Sequence, residues 1–480
     1  MSIYRSTDPT VFDDVDGIII NESAPAANVA GVAANVAILA AQCQRGPSAL
    51  TDIASIGEFH EVYGKSTTHG ANIALKNKKF GRLKIIRVAA ADGVVASKAF
   101  ESTATARITF SAKQGVGVYG NSIQVKIENG TTTGKKYTIH DASTYAVLPD
   151  EVYDNVAITA IDSSTFANSK LITAVVNSSA AEPTNAAFTN LASGTEGTVA
   201  DSDYQTAIAL AEVENAGNFL FLDSYNDAKN GYLEAHVGTT QDKIVILAGA
   251  EGDSVSTAVS DVADYRDTDG RMIYAYPWVQ TNVDGVLTYT SPASWIASVL
   301  SQTSPHIDPA FSKNTQFLGG VTGLKSVPTR ANYVSLKNAG IMALENDSDI
   351  GFKIKSGIVT QLSDSSKVTV LRRRMADYLT NSVAAYLKNS QNSVNSASNR
   401  SLVKGAILSF IQGQESAGIL PKDTDVSTGK AKLVDTESLN TEATIAAGYF
   451  KILWKQRIYS AMRYIVLQAE IGESVTVTEG

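Results

Sequence analysis

The chain has 480 residues, of which 44% are hydrophobic and 18% charged, and its formal net charge is −8. This length allows about two to four domains with substantial cores. The mild acidity argues against general nucleic-acid binding, because the phosphate backbone favours basic surfaces. Cys43 is the single cysteine, so an internal disulfide is excluded, and we expect it to be a small core residue.

The first 24 residues form an acidic arm in which five carboxylates outnumber Arg5. The arm lacks the apolar run of a signal peptide, and the apolar stretch 29–41 is too short for a bilayer span. We therefore expect a soluble product of a reducing cytoplasm. Within the arm, 17-GIIINE-22 is a β-branched run before a breaker, which predicts a strand.

Residues 25–103 and 198–363 alternate strand and helix patterns, which predicts an α/β-type core of mixed sheet flanked by helices. Ser55 with Glu58 has the spacing of a capping box. The predicted strands are 34–41, 83–89, 219–223, 243–248 and 271–278, and the predicted helices are 55–63, 71–78, 203–214, 230–239 and 254–266.

The remaining segments complete an α+β fold class. Residues 104–197 are rich in Thr, Ser, Asn and Ala and predict an inserted β-rich domain with strands at 105–112, 122–128 and 136–140. Residues 364–471 predict an α+β C-terminal domain with helices over 368–389 and 400–414. Two alternating runs, 449–457 and 463–471, indicate a β-hairpin, and residues 472–480 form a second arm with a strand pattern.

The sequence contains partial matches to two nucleotide-binding motifs, and each lacks a feature that the motif requires. Residues 115–120 match G-x-G-x-x-G, but a strand follows them, whereas dinucleotide binding needs a helix N-terminus. Gly64-Lys65-Ser66 lacks the first glycine of a phosphate-binding loop, since Phe59 stands in its place. The five histidines are scattered, so no metal site is predicted. We expect neither a cofactor nor enzymatic activity, since nothing in the sequence demands an enzyme, although one remains possible.

Two basic clusters stand out, one between Lys76 and Arg87 and the other at Arg372–Arg374. The ordinary interpretation of each is a solvated face or a subunit contact. Nucleic-acid binding would require interleaved aromatic residues and a basic domain, and neither is present.

Several stretches, in order, resemble the sheath protein of contractile injection machines such as phage tails and R-type pyocins. They are 31-GVAANVAILAAQCQRGP-47, 55-SIGEFHEVYG-64, 74-ALKNKKFG-81, 83-LKIIRVAAADG-93, 115-GVGVYGNSIQVKI-127, 191-LASGTEGTVADSDY-204, 275-AYPWVQ-280 and 291-SPASWIAS-298, followed by the region from residue 368 to the end. The chain departs from the family at 355-KSGIVTQLS-363, where many members carry W-G-x-R-T.

The resemblance implies that the two end strands are donated to other subunits and added to the hairpin of a third. The charges agree, because the arms are acidic and the hairpin is basic. The implied donors are Gly17, Ile18, Ile19, Ile20, Asn21, Glu22, Ser474, Val475, Thr476, Val477 and Thr478. The implied host hairpin is carried by Tyr449, Lys451, Leu453, Lys455, Arg457, Arg463, Ile465 and Leu467.

The resemblance further implies stacked six-membered rings around an inner tube, in a metastable extended state whose contraction drives the tube through a target envelope. The expected partners are further copies of the chain, the tail tube protein, and baseplate and tail terminator proteins, with neither direct nucleic-acid contact nor membrane insertion. The expected location is the virion tail, assembled in the bacterial cytoplasm. Candidate tube-facing residues are Arg372, Arg373, Arg374, Arg400 and Lys404.

Two other classes of protein stay open at this point. One is a soluble α/β enzyme with a β insertion. The other is a capsid or surface-layer protein, which also self-associates through arms.

Overall fold

A computed structural model describes residues 3–5, 18–20, 29–66, 80–113, 115–213, 217–283, 285–311, 318, 320–364, 367–427 and 429–461. The chain divides into two compact units. The body unit comprises residues 33–374, and the terminal unit comprises residues 1–32 with residues 375–480. Helices and strands are mixed throughout, which confirms the α+β class.

The strands are numbered in chain order. They are β1 Ile3–Arg5, β2 Ile18–Ile20, β3 Val36–Gln42, β4 Thr51–Ile53, β5 Arg82–Val88, β6 Ser97–Ser102, β7 Thr105–Ala112, β8 Ile123–Asn129, β9 Lys135–Asp141, β10 Glu151–Val156, β11 Ile172–Val176, β12 Ala186–Asn190, β13 Phe219–Leu222, β14 Ile244–Ala248, β15 Met272–Tyr276, β16 Val279–Val283, β17 Val286–Thr290, β18 Val321–Leu324, β19 Ile341–Asp347, β20 Gly351–Ile354, β21 Lys432–Asp435 and β22 Leu453–Gln456.

The α-helices are α1 Ile56–Tyr63, α2 Asp201–Ala209, α3 Asp227–Thr240, α4 Val255–Asp261, α5 Ala293–Gln302, α6 Arg330–Asn338, α7 Val370–Lys388, α8 Ala397–Ser416 and α9 Glu442–Ala446. None of these described helices combines the length and the apolar character needed to cross a membrane.

The body unit is built on an eight-stranded sheet in the order β20-β19-β15-β14-β13-β3-β5-β4. The six central strands are parallel, and the edge strands β20 and β4 are antiparallel to their neighbours. Every residue of β13, β14 and β15 is buried, which is why these strands are continuous apolar runs in the sequence. Helix α5 packs on β3, β13 and β14, with nine of its ten residues buried.

The predicted start of α1 is found in the structure. The Glu58 amide donates to Ser55 Oγ at 3.1 Å, as a capping box requires. The reciprocal bond differs from the prediction, because Glu58 Oε2 accepts from the Ala54 amide at 2.7 Å rather than from Ser55. The first bond satisfies an amide that the first helical turn leaves without a partner, and the second fixes the residue before the cap.

A second apolar core coincides with most of the predicted insertion, but it begins before residue 104 because strand Ser97–Ser102 belongs to it. It extends from Ala96 to Leu191 and lies between the antiparallel sheets β10-β9-β8-β12 and β11-β7-β6. Residues along β8 and β9 alternate between buried and half-buried, as the period-two pattern predicts. The rings of Phe110, Tyr137 and Phe166 meet edge to face at 5.5–5.8 Å between centroids. A smaller sheet, β17-β16-β18, completes the body unit.

The terminal unit contains most of α7, together with α8, α9 and the antiparallel pair β21–β22. The incoming chain is tied to α7 because the Val32 amide donates to Ser382 Oγ at 3.1 Å. Strand β2 falls inside the predicted donor strand 17–22 and pairs in parallel with β1 of the same chain. The predicted helix 71–78 and the predicted strand 474–478 lie outside the described residues.

Candidate assembly site

Open α/β sheets bind ligands outside the carboxyl ends of their strands, at the point where the strand order reverses. In this chain that point lies between β3 and β13, and a hydrogen-bonded network fills it. Asp223 accepts the Gln42 amide at 2.8 Å and the Tyr204 hydroxyl at 2.7 Å, and Gln42 Nε2 donates to the Tyr204 oxygen at 3.0 Å.

One hydroxyl of this network keeps its proton. Burial, reinforced by the Asp223 charge, raises the pKa of Tyr204, so the phenol stays a neutral donor. Lys229 Nζ lies 4.2 Å from the Tyr204 ring centroid and donates to Ser224 Oγ at 2.8 Å. The polar groups of the crevice therefore satisfy one another, which leaves little for a substrate to bind.

A buried arginine holds the insertion against the same edge of the sheet. Arg45 follows β3, is fully buried, and donates to the carbonyls of His60, Glu61 and Ala146 at 2.8–3.0 Å. The first two carbonyls belong to the last turn of α1, where a cation is favoured by the helix dipole. The third belongs to the insertion, so one guanidinium joins the two cores.

Asp141 supplies the opposite charge to this joint. Its carboxylate lies 3.6 Å from Arg45 Nη1 and accepts the Tyr119 hydroxyl at 2.7 Å. Burial alone would raise the pKa of Asp141, yet hydrogen bonds from the Leu148 and Ser143 amides hold that pKa below its usual value. The aspartate consequently stays ionised beside the arginine.

Arg87 makes a second buried joint. It lies near the carboxyl end of β5 and donates to the Cys43 and Gly46 carbonyls at 3.0 and 3.3 Å. Its Nη2 donates to the Val116 carbonyl of the insertion at 2.7 Å, and Glu196 lies 4.0 Å away. The insertion thus covers the edge of the sheet where an enzyme of this topology would bind its ligand.

Two of the five candidate tube-facing residues have buried side chains. Arg374 is 3% exposed and donates to the Leu300 carbonyl at 2.7 Å and to Thr303 Oγ1 at 3.0 Å, so it caps the end of α5. Burial lowers its pKa to about 9. Arg400 is 8% exposed and forms a bidentate pair with Glu437 at 2.9–3.2 Å. Both arginines support the fold of a single chain.

The other three candidates, Arg372, Arg373 and Lys404, are half-buried. Their contact with a tube remains a prediction. The charge block at 372–374 gave no sign that its third residue would point inward, because the burial of Arg374 depends on residues about 70 positions earlier in the chain.

The described part of the host hairpin is strand β22 with the residues before it. β22 pairs with β21, in the register Leu433 to Lys455 and Asp435 to Leu453. This partner was not predicted, because four residues of alternating character carry little signal. Arg463, Ile465 and Leu467, the second arm of the predicted hairpin, lie outside the described residues.

Two asparagines that sequence reasoning missed hold residues 449–452 in place. Asn440 Nδ2 donates to the Lys451 carbonyl at 2.6 Å, and Asn440 Oδ1 accepts the Lys451 amide at 2.8 Å. Asn395 Nδ2 donates to the Tyr449 carbonyl at 2.9 Å. Asn395 also accepts from Arg400 at 3.2–3.3 Å, so the segment is tied to α8.

An open groove of about 960 Å³ lies beside this segment in the terminal unit. Its apolar lining comes from Leu387 on α7, Val403 on α8 and the alternate residues Phe450 and Ile452. Its rim is amide- and hydroxyl-rich and comprises Asn389, Ser390, Gln391, Asn392, Ser393, Asn395 and Asn399. Val394 and Leu402 at this groove are 75% and 53% exposed, and the adjacent Tyr449 is 61% exposed.

Solved structures with the same architecture are sheath proteins. A sheath tail protein of Listeria innocua superposes with a TM-score of 0.65 at 16% identity, over 84% of this chain and 88% of that one. A sheath tail protein of Desulfitobacterium hafniense gives 0.60 at 18% identity, over 88% and 94%. This chain has the tail sheath fold.

The helical sheath of the anti-feeding prophage in its contracted state shares the tail sheath fold, with a TM-score of 0.59 at 14% identity over 95% of this chain and 99% of that one. No family model and no curated protein matches the sequence. The tail sheath fold is therefore evident in the structure while the sequence has diverged.

Proposed function

We propose that the chain is the structural subunit of a contractile tail sheath. The observation that carries the proposal is the match to sheath structures over nearly the whole chain, insertion and terminal unit included. The closed crevice between β3 and β13 adds support, because it removes the usual reason for an α/β sheet to be an enzyme. Among the described residues, no group of three potential ligands could hold a metal ion.

In this proposal, subunits assemble as stacked hexameric rings around an inner tube protein, between a baseplate and a tail terminator. The particle is a virion tail put together in the bacterial cytoplasm. Contraction draws on the difference in contacts between body units in two states, without nucleotide hydrolysis.

Donated strands link the rings. The end strands at 17–22 and 474–478, which lie in acidic arms, add to the basic hairpin of neighbouring subunits through backbone hydrogen bonds along their edges. Each donated strand forms about four or five backbone hydrogen bonds, worth ~1 kcal/mol each. A single strand pairing between subunits is weak, but several pairings per subunit together make the assembly hard to separate.

Negative-stain microscopy of the purified protein tests this function. Hollow helical tubes are expected, whereas closed shells or flat lattices would indicate a capsid or surface-layer protein, and discrete particles would indicate an enzyme. Deleting residues 472–480 should leave a folded subunit that makes no tubes. Thr476→Ser in the intact chain is the matched control and should assemble normally, since serine retains the backbone bonds.

Deleting residues 1–22 tests the other donated strand separately. The variant should keep the circular dichroism spectrum and thermal transition of the full chain but lose tube formation. Normal tubes from either deletion would contradict strand donation while leaving the sheath fold untouched.

A further inference from the structure

Lys135, the first residue of β9, is a buried cation held by neutral groups. It is 9% exposed, and lysine is rarely buried unless a carboxylate pairs with it. Its ammonium donates to the carboxamide oxygens of Asn185 at 2.7 Å and Asn129 at 3.1 Å. Among the described residues Lys135 forms no ion pair, so two amides take the place of a counter-charge.

A carboxylate with one unused oxygen lies at the same end of β9. Glu182 Oε1 accepts the Ile158 amide at 3.0 Å. Ile158 comes two residues after Val156, the residue of β10 that pairs with Lys135. Glu182 Oε2 is buried and has no hydrogen-bond partner in the described part of the chain. The carboxylate therefore has one oxygen free to accept a proton.

The buried face of β9 connects the lysine to this carboxylate. Tyr137 lies on that face two residues after Lys135, and its hydroxyl is buried without a partner among the described residues. Burial, reinforced by the Glu182 charge, raises the pKa of Tyr137. The charge of Glu182 thus acts on the same face of β9 that carries the lysine.

An amine, a carboxamide and a carboxylate at one place can form an amide bond between side chains. A deprotonated lysine amine is a nucleophile, and the carbon of a carboxamide is an electrophile. The 2.7 Å contact with Asn185 Oδ1 holds Nζ beside Cγ, so the two groups need not find each other by diffusion. Asn129 is the poorer partner, because its contact is longer and β8 fixes its main chain opposite Lys135.

We propose that Lys135 and Asn185 become joined by an isopeptide bond in the folded chain, with Glu182 as the proton acceptor. Lys135 Nζ gives a proton to Glu182 Oε2 and attacks Asn185 Cγ. The Nζ–Cγ bond forms, the Cγ–Nδ2 bond breaks, and Nδ2 leaves as ammonia, which takes up the displaced protons as ammonium. The reaction consumes no oxidant, reductant or other reagent. Because Asn185 is exposed, the ammonia passes to solvent.

The bond ties together the two sheets that enclose the second core. It connects positions 50 residues apart, from β9 in one sheet to the end of the connection that leaves β11 in the other. The bond forms within one chain, so it does not depend on the proposed sheath function.

Intact mass spectrometry of the denatured full-length chain tests the proposal. Because the reaction releases ammonia, the mass should lie about 17 Da below the value calculated from the sequence. Lys135→Arg keeps the positive charge but lacks the amine, and Asn185→Ser lacks the carboxamide, so both variants should have the full calculated mass. Asn129→Ser is the matched control and should keep the lowered mass.

A cyclic imide at an Asn-Gly pair would lower the mass equally, and the chain has two such pairs, at 129–130 and 230–231. Hydroxylamine cleaves an imide and leaves an isopeptide bond intact, and tandem mass spectrometry of a tryptic digest locates the branched peptide. A wild-type chain at full mass would overturn the proposal. So would a lowered mass that persists in Lys135→Arg or Asn185→Ser, or one that hydroxylamine abolishes.

Glu182→Gln tests the proton acceptor. The share of chains with lowered mass is followed over time in pulse-labelled, freshly expressed protein, with circular dichroism as the check on folding. Bond formation should slow by roughly tenfold or more, because an amide cannot take the proton. Glu128→Gln, at a carboxylate of β8 that is 43% exposed, is the matched control and should react at the wild-type rate. An unchanged rate in Glu182→Gln would overturn the role given to Glu182.

Discussion

The carboxyl edge of the body sheet and the groove beside residues 449–452 are both places where a protein could bind a partner or a ligand, and they are built in opposite ways. At the first, Arg45, Arg87 and Asp223 are engaged by groups of the same chain. At the second, exposed apolar side chains such as Val394 and Tyr449 surround a groove. The first place is filled by buried charges that pair within the chain, whereas the second exposes apolar surface of the kind that binds partners.

The largest expected loss of stability comes from removing the buried arginine that joins the insertion to the sheet. Arg45→Ala removes a fully buried cation and leaves Asp141 buried without its counter-charge, so we expect a loss of about 3–5 kcal/mol in unfolding free energy. Urea unfolding followed by fluorescence measures it. Arg82→Ala is the control, since its ion pair with Asp52 is about half exposed and worth under ~1 kcal/mol. Equal losses in the two variants would show that the joint does not hold the insertion.

A smaller loss is expected from the network between β3 and β13. Tyr204→Phe deletes the hydroxyl that donates to Asp223 and should cost about 1–3 kcal/mol, because one hydrogen bond to a carboxylate is lost. Tyr449→Phe at the exposed edge should change stability by less than ~0.5 kcal/mol. An unchanged unfolding free energy in Tyr204→Phe would indicate that water already enters the crevice.

The body unit should also lose stability in mild acid through His236. Its ring is 3% exposed, and burial, then Lys243, lowers its pKa, with Asp242 and Glu212 opposing. The unfolded chain therefore binds the proton more tightly than the folded one. The stabilising contribution is complete above the ordinary histidine pKa of about 6.5 and is lost as pH falls towards the lowered folded value, at up to about 1.4 kcal/mol per pH unit.

Comparison with His236→Gln isolates that contribution. The wild type should lose more unfolding free energy between pH 7.5 and pH 5 than the variant, which cannot titrate there. If the unfolding free energies of wild type and His236→Gln fall in parallel with pH, the buried ring is ruled out as the cause of the acid destabilisation.

The smallest effect on stability should accompany a clear effect on assembly. Leu433 on β21 is 43% exposed, and Leu433→Ser should change the unfolding free energy by less than ~0.5 kcal/mol. If the edge of β21 takes part in subunit contacts, the pelleted fraction of tubes should fall several-fold. Val175→Ser on the exposed strand β11 is the matched control and should assemble fully.

The sequence predicted the elements whose patterns are local. The apolar run 219–223 became β13, and the Ser55 cap began α1, because burial on both faces and helix capping are properties of a few consecutive residues. The same reasoning located β8 and β9 within a residue or two.

Contacts between distant residues could not be predicted from the sequence. Arg45 meets a carbonyl 101 residues later, and Arg374 meets a helix end 71 residues earlier. In the sequence each is an ordinary surface cation. The short strand β21 was missed for a related reason, since only its pairing with β22 distinguishes it from a loop. Of the candidate assembly site, a strand was predicted over 449–457 and the structure has it only at Leu453–Gln456, while the groove and its two asparagine tethers were not predicted.

The joint between insertion and sheet has a consequence for how such proteins diversify. Arg45 and Arg87 grip the insertion largely through the main-chain oxygens of Ala146 and Val116. Every amino acid supplies a main-chain carbonyl oxygen. Substitutions at positions 146 and 116 therefore leave the hydrogen-bond acceptors for the two arginines in place. Substitutions on the outer surface of the insertion are therefore compatible with this joint, because the two arginines bind its main chain.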